Sequence, residues 1–315
     1  MHGFTATTSY TSAEVLSRMA AYGVFAVAPG MRGRDSASGS PDASARECMD
    51  ISDVVTYIRS NFASQVSSTR AAITGYSGGG GNVLAMAAKF PDLFVVGADH
   101  FGMSDYGSDA TFGWWQQNGS YRTNLNTMIG DTPANVPNAY YARKHLDALS
   151  TNFTSGHLFV YHDTGDASVN VNHSQRINAL SMPNVTYHET NGASDPRWIH
   201  GDPIVGNPGA PNIYTEQEWL SSVVAGTYPV WSVPTSGTAT VMGYIVTKRF
   251  EIWLGTTTRA GAGGGLNEVA TVSYNTTTHQ YTVTPLTGPL DVYVKEGALS
   301  GTASGISTPT VITVA

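Results

Sequence analysis

The chain has 315 residues, 41% of them hydrophobic and 12% charged, which describes a globular protein with room for one large domain and a small one. A formal net charge of −7 with no run of Lys or Arg argues against nucleic acid or an anionic membrane as the partner, and no apolar stretch approaches the length of a membrane span. The lone cysteine, Cys48, excludes an intrachain disulfide and a thiolate metal cluster.

Thr11 and Glu14 have capping-box spacing ahead of Val15, Leu16 and Met19, so a helix is expected there, ended by Gly23. Val24 to Ala28 then reads as a buried strand stopped by Pro29. Ile51, Val54, Val55 and Ile58 repeat with helical period and predict one buried face. Ala71 to Thr74 reads as a second strand, followed by a glycine cluster and a helical stretch from Asn82 to Phe90. Val95 to Ala98, His157 to His162 and Val185 to His188 complete about five parallel strands. Helices are expected over Asn172 to Leu180 and from Thr215, where Glu218 again completes capping-box spacing.

After Pro229 the helical patterns stop. Ala239 to Val246, Phe250 to Leu254, Val269 to Tyr274, Tyr281 to Thr284 and Val292 to Lys295 predict a small antiparallel β-sandwich over 229–315, with the Gly261–Gly265 stretch as a flexible loop. The expected organisation is therefore an α/β domain over 1–228, carrying a cap-like segment at about 101–150, and a β domain behind it.

The chemistry centres on Gly75-Tyr76-Ser77-Gly78-Gly79, between a strand and a helix. A serine on such a turn is pushed out of the sheet edge, small neighbours tolerate the strained backbone, and the Gly78 amide at the helix N-terminus can stabilise an oxyanion. The alternative is a glycine-rich turn with a structural serine. A phosphate loop is excluded because no Gly-Lys-Ser/Thr closes the cluster. A hydroxyl nucleophile needs a base and an orienting acid. Asp166, in the loop after the strand that ends at His162, is the candidate acid, with Asp163 as its rival; the loser is expected to be a turn aspartate bonding its own backbone. His200, in the long loop after the last strand, is the candidate base. His188 is expected to be structural and His173, at a helix start, exposed. His157, His162 and Asp163 match no metal-ligand spacing, and no metal or cofactor is implied.

These residues resemble the catalytic domain of prolyl oligopeptidase-type α/β-hydrolases and overlap related acyl esterases. The resemblance rests on Met31-Arg32-Gly33-Arg34 with the Met49–Ile58 helix, the Ser77 elbow, Phe90-Pro91-Asp92-Leu93-Phe94, Phe101-Gly102-Met103-Ser104-Asp105, and Asp166 with Val169, and it spans residues 2 to 225. The Ser-Gly-Gly-Gly-Gly run is also similar to cutinase-like polyester hydrolases. The resemblance implies an α/β-hydrolase sheet flanked by helices. It further implies that His2-Gly3-Phe4 is the element whose next amide, at Phe4, completes the oxyanion hole beside Gly78. In the family, strands precede that element, whereas here it lies at residues 2 and 3. A sheet without its first strands is then expected, its edge covered by another segment, a second copy or a larger assembly. With no room in the chain for the propeller that restricts the peptidases, an ester substrate is expected over a peptide; a polyester, or a non-catalytic hydrolase-like module, are the alternatives.

Tyr76, Trp114 and Trp115 are candidate substrate-binding rings, the tryptophans in the cap together with Tyr121, Tyr140 and Tyr141; packing of the cap's own core is the competing expectation. The substrate could be polymeric or glycan-linked. Richness in Ser, Thr, Asn and Gly fits an extracellular or virion-surface protein, although the N-terminus carries no signal-peptide pattern.

Overall fold

The structure is a computed structural model that describes residues 13–34, 37–191, 200, 215–259 and 266–315. Four parallel strands lie in the order β1 (Ala72–Tyr76), β2 (Val96–His100), β3 (His157–Asp163) and β4 (Val185–Thr190). Register places Ala72 against Val96, Val96 against His157 and Leu158 against Val185. Strands β2 and β3 are buried at every position, which their near-continuous apolar runs require of a parallel sheet covered on both faces.

Alternation along the strands divides the two layers. Val96, Ala98, Phe159 and Tyr161 pack against Val15 and Met19 of α1 (Ala13–Ala21) and Trp219 and Leu220 of α9 (Glu216–Ala225). Ile73, Leu158 and Val160 face Cys48 and Ile51 of α2 (Arg46–Asn61), Val83 and Leu84 of α3 (Gly78–Lys89) and Ile177 of α8 (Asn172–Ala179). The helix α1 stops where Gly23 takes a φ of 83°. The helix α2 is capped by Asp42, whose carboxylate accepts the amides of Ala45 and Arg46.

Several expectations need correction. Val24 to Ala28 joins no ladder, so the sheet has four strands among the described residues rather than about five. Val24 and Ala26 pack against the α1–α9 layer, while Phe25 and Val27 face outward, 42% and 43% exposed. The helix after β1 begins at Gly78, four residues before the expected start, because the glycine run is itself helical. Thr215 and Glu218 form no capping box: the Thr215 hydroxyl meets His100 Nε2 at 2.6 Å, and Glu218 accepts from the Tyr161 hydroxyl at 2.6 Å. The Gly261–Gly265 stretch lies outside the described residues.

Between β2 and β3 the chain forms α4 (Trp114–Gln117), a 3-10 turn (Gly119–Tyr121), α5 (Arg122–Ile129), α6 (Pro137–Tyr141) and α7 (Leu146–Asn152). Met103, Tyr106, Trp114, Leu125, Ile129 and Tyr140 give this segment its own small core. No helix among the described residues is long and apolar enough to cross a membrane.

The C-terminal strands β5 (Ser236–Met242), β6 (Tyr244–Val246), β7 (Glu251–Leu254), β8 (Val269–Asn275), β9 (Gln280–Pro285), β10 (Leu290–Glu296), β11 (Leu299–Ile306) and β12 (Thr310–Thr313) form one antiparallel ladder, ordered β11-β10-β7-β6-β5-β8-β9-β12. Its ends fold back together, where the amide and carbonyl of Ser300 pair with those of Ala315 at 3.3–3.4 Å, so neither edge strand is left open along that stretch. The interior is continuous with the core under α3. Asn152 stitches the two regions: its amide donates to Ala88 and Thr240 carbonyls at 2.7 and 2.8 Å, and its oxygen accepts the Thr240 amide at 2.9 Å. Buried Lys89 adds a bond to the Met242 carbonyl, and burial pushes its ammonium down to about 8.

Candidate active site

Ser77 leaves β1 with φ 56° and ψ −120°, a conformation that a residue with a Cβ adopts only when its surroundings impose it. Here they do. The Ser77 amide donates to the His100 carbonyl at 3.0 Å, and the Ser77 carbonyl accepts the Gly81 amide at 3.0 Å. Strand and helix meet backbone to backbone: a Cβ on Gly75 would lie 2.1 Å from the Gly79 carbonyl oxygen, and one on Gly80 would lie 2.3 Å from Asp99 Oδ1. Ser77 itself remains partly exposed. Gly78 is the first residue of the twelve-residue α3, so its amide belongs to the group that emerges from the helix N-terminus. Phe4, the expected second oxyanion donor, lies outside the described residues.

The two rival aspartates separate cleanly. Asp163 is fully buried and turns inward, accepting the Gly165 amide at 2.6 Å and the Thr190 hydroxyl at 2.5 Å. Asp166 accepts the Ser168 and Val169 amides on Oδ1 at 2.7 and 2.9 Å. Its Oδ2 receives His200 Nδ1 at 2.8 Å and faces His162 Nε2 at 3.4 Å. Burial alone would raise this carboxyl, but the two imidazoles and the backbone amides outweigh it and hold the group at about 2. An ionised Asp166 therefore accepts a hydrogen bond from Nδ1–H of His200, which leaves Nε2 as the ring's acceptor.

The His200 ring lies 4.8 Å from that of Phe101, which directly follows β2 and whose amide donates to the Tyr161 carbonyl. The imidazole thus sits by Phe101 and the loop after β3, at the carboxyl ends of β2 and β3. This is the end of a parallel sheet at which ligands bind.

His157, His173 and His188 are held by structural partners, and one expectation fails. His173 is fully buried rather than exposed: Ser104 covers it, with its amide 3.3 Å from Nδ1 and its hydroxyl donating to the His173 carbonyl at 3.1 Å. Its ring is held neutral, at about 3, chiefly by burial. His188 reaches Glu218 at 3.0 Å and His157 reaches Thr186 at 2.8 Å. Among the described residues no group of three His, Cys, Asp or Glu is arranged to hold a metal ion.

The three candidate substrate rings are also relocated. Trp114 is 1% exposed, stacks on Tyr121 at 5.0 Å, and donates Nε1–H to the Ser168 carbonyl at 2.8 Å. Trp115 is tied to Asn126 at 2.8 Å and lies under the Arg122 guanidinium. Tyr76 is buried beside His100, ring to ring at 4.4 Å. Trp114 and Tyr76 bury their apolar rings in a core, where packing accounts for them, while Trp115 is half-buried against the cap core.

Sequence reasoning missed His162. It is fully buried, donates Nε2–H to the Val169 carbonyl at 2.9 Å and takes the Ser174 hydroxyl on Nδ1 at 2.6 Å. One signal was available: an imidazole ending a strand buried throughout must find polar partners, and the next polar residues are those of the acid loop.

A parallel sheet whose strand-to-helix elbow presents a serine, with an aspartate and a histidine joined at the same sheet end, defines a serine hydrolase of the α/β-hydrolase class. Residues 11–190, more than half of the chain, match the family model described as the prolyl oligopeptidase family, and the chain belongs to that family. Among solved structures it is similar to an esterase from Pyrococcus furiosus, at 17% identity over 72% of this chain and 81% of that one, with a TM-score of 0.45. It is also similar to the acylaminoacyl peptidase of Pyrococcus horikoshii, at 18% identity over 47% and 23% of the two chains, with a TM-score of 0.41. A puromycin-hydrolyzing peptidase of Mycobacterium tuberculosis is 20% identical over 59% and 24%, with a TM-score of 0.41. Among curated proteins no match is found.

Proposed function

We propose that this protein hydrolyses carboxylic esters through an acyl-enzyme on Ser77. The observation that carries the reading is the 2.8 Å contact from His200 Nδ1 to an Asp166 carboxylate held at about 2, on the sheet end where the strained serine emerges.

In the first half-reaction His200 Nε2 takes the Ser77 proton as Oγ attacks the carbonyl carbon. The oxyanion that forms is stabilised by the Gly78 amide, with Phe4 as the proposed second donor. Asp166 keeps the proton on Nδ1 and balances the imidazolium. The imidazolium then gives its proton to the departing alcohol, which leaves Ser77 acylated. Water repeats the sequence and releases the acid. The same groups can cleave an amide. An alkoxide is the better leaving group and demands less of the proton donor, which is why an ester is proposed ahead of a peptide.

The test is labelling by a fluorophosphonate, followed by turnover of an aryl-ester panel beside peptide anilides. Wild type is expected to label and Ser77→Ala not to, while His200→Ala should lose about 10³-fold or more in ester turnover. A folded wild-type protein that resists labelling would falsify the hydrolase reading. Faster anilide than ester turnover would move the substrate to peptides and leave the site intact.

A further inference from the structure

The loop that carries Asp166 is held from outside the sheet. The Ser168 carbonyl accepts two hydrogen bonds, one from Trp114 Nε1 and one from Asn118 Nδ2, both at 2.8 Å. Both donors belong to the cap segment, at the two ends of α4, and Gln117 adds a third tie to Asn172 at 3.2 Å. The peptide units on either side of Ser168 are the ones whose amides bind Asp166 Oδ1. Val169, the second of those donors, is fully buried in the cap's own core with Trp114 and Tyr106.

We infer that Trp114 and Asn118 are positioning residues for the Asp166–His200 pair, so that the seating of the cap sets the alignment of the acid with the base. The inference rests on the proposed hydrolase reading and adds a route by which the cap reaches the reacting groups without touching substrate. The physical chain is short. Two donors fix one carbonyl, that carbonyl fixes the 168–169 peptide plane and with it the Val169 amide, and the adjoining Ser168 amide is aimed at the same carboxylate oxygen. The other oxygen is then turned to His200 at 2.8 Å. Loss of one donor leaves the other in place. Loss of both frees the carbonyl inside a site where its partners are otherwise spent.

Trp114→Phe removes the N–H and keeps a ring to stack on Tyr121, and Asn118→Ala removes the second donor. Each alone is expected to lower kcat by about threefold, and the pair by about fiftyfold, more than the product of the two, because they serve one acceptor. KM is expected to stay within about twofold, since neither group meets substrate. A second readout follows the acid–base contact itself: the downfield proton resonance of His200 Nδ1–H, assigned by its loss in His200→Ala, should broaden or shift in the double variant. A purely structural role for the two residues would lower the melting temperature and leave that proton unmoved in the folded fraction. Unchanged kcat and an unchanged resonance in a folded double variant would overturn the inference while Ser77 still labels. A wild type that does not label overturns the hydrolase reading instead, and the resonance still decides whether the cap aligns the pair.

Discussion

The elbow at 75–81 and the acid loop at 163–169 both hold a reactive side chain in place, and they do so by opposite means. At the elbow the restraint is local backbone. Glycines let β1 and α3 touch, and the strain at Ser77 is offset by bonds to Gly81 and to the neighbouring strand at His100. At the acid loop the restraint comes mostly from far along the chain: Trp114 and Asn118 from the cap and His200 from the segment after β4, with His162 of β3 the one near neighbour. A site built on local backbone tolerates almost no change in residue size. One built on converging side chains degrades step by step as partners are removed.

The sharpest way to break this comparison is to exchange the roles of the two aspartates. Asp166→Asn is expected to lose about 10⁴-fold in ester turnover, because the amide can no longer hold the proton on Nδ1 and charge-balance the imidazolium. Asp163→Asn, three residues away, should stay within about threefold in turnover, since its partners are Gly165 and Thr190 and not the base. Comparable losses from both would mean that the loop acts as one rigid unit.

The elbow should fail by size instead. Gly80→Ala places a methyl 2.3 Å from Asp99 Oδ1, which the Gly102 amide holds, and 2.8 and 2.9 Å from the Gly102 and His100 backbone, which has no side-chain freedom to yield. Destabilisation of about 3 kcal/mol or more is expected by chemical denaturation. A neutral result would show that the helix can slide away from the sheet.

A smaller effect tests the floor beneath the elbow. Asp99 is fully buried and only its Oδ1 is bonded, to the Gly102 amide; burial raises its carboxyl to about 7. The native state then binds this proton more tightly than the unfolded chain does. The stabilisation is complete below about pH 4 and is lost as pH rises through 7. Asp99→Asn removes that dependence, so its stability relative to wild type should improve between pH 4 and pH 8 by an amount on the order of 4 kcal/mol. His100 and His173, held near 3 by burial, act with the opposite sign over the acid part of this window in both proteins and cancel in the difference. A parallel pair of stability curves would place the Asp99 proton elsewhere.

Much of the α/β architecture is legible in short windows. Buried strands such as β2 and β3 announce themselves as apolar runs, and the glycines around Ser77 mark an elbow because a backbone contact admits nothing larger. The cap is less legible. An exposed aromatic and a buried one look alike in sequence, and Trp114 is buried in the cap core with its N–H met by Ser168, 54 residues away. His173 reads as an exposed helix start because nothing nearby in the chain shows that Ser104 will cover it. Thr215 has the spacing of a cap, yet its hydroxyl is drawn to His100, a buried ring whose nitrogen would otherwise go unmet.

By itself, then, the order of residues determined what neighbours can impose on one another: the strained serine, the glycines that admit it, the strand and helix periods, and an aspartate in the loop after β3. The tertiary structure alone decided which acid meets which imidazole, and that Trp114 closes into the cap's own core. The physical reason is distance along the chain. Steric limits on φ and ψ act within a few residues, whereas a hydrogen bond between Asp166 and His200, 34 residues apart, exists only once packing has brought both out of water.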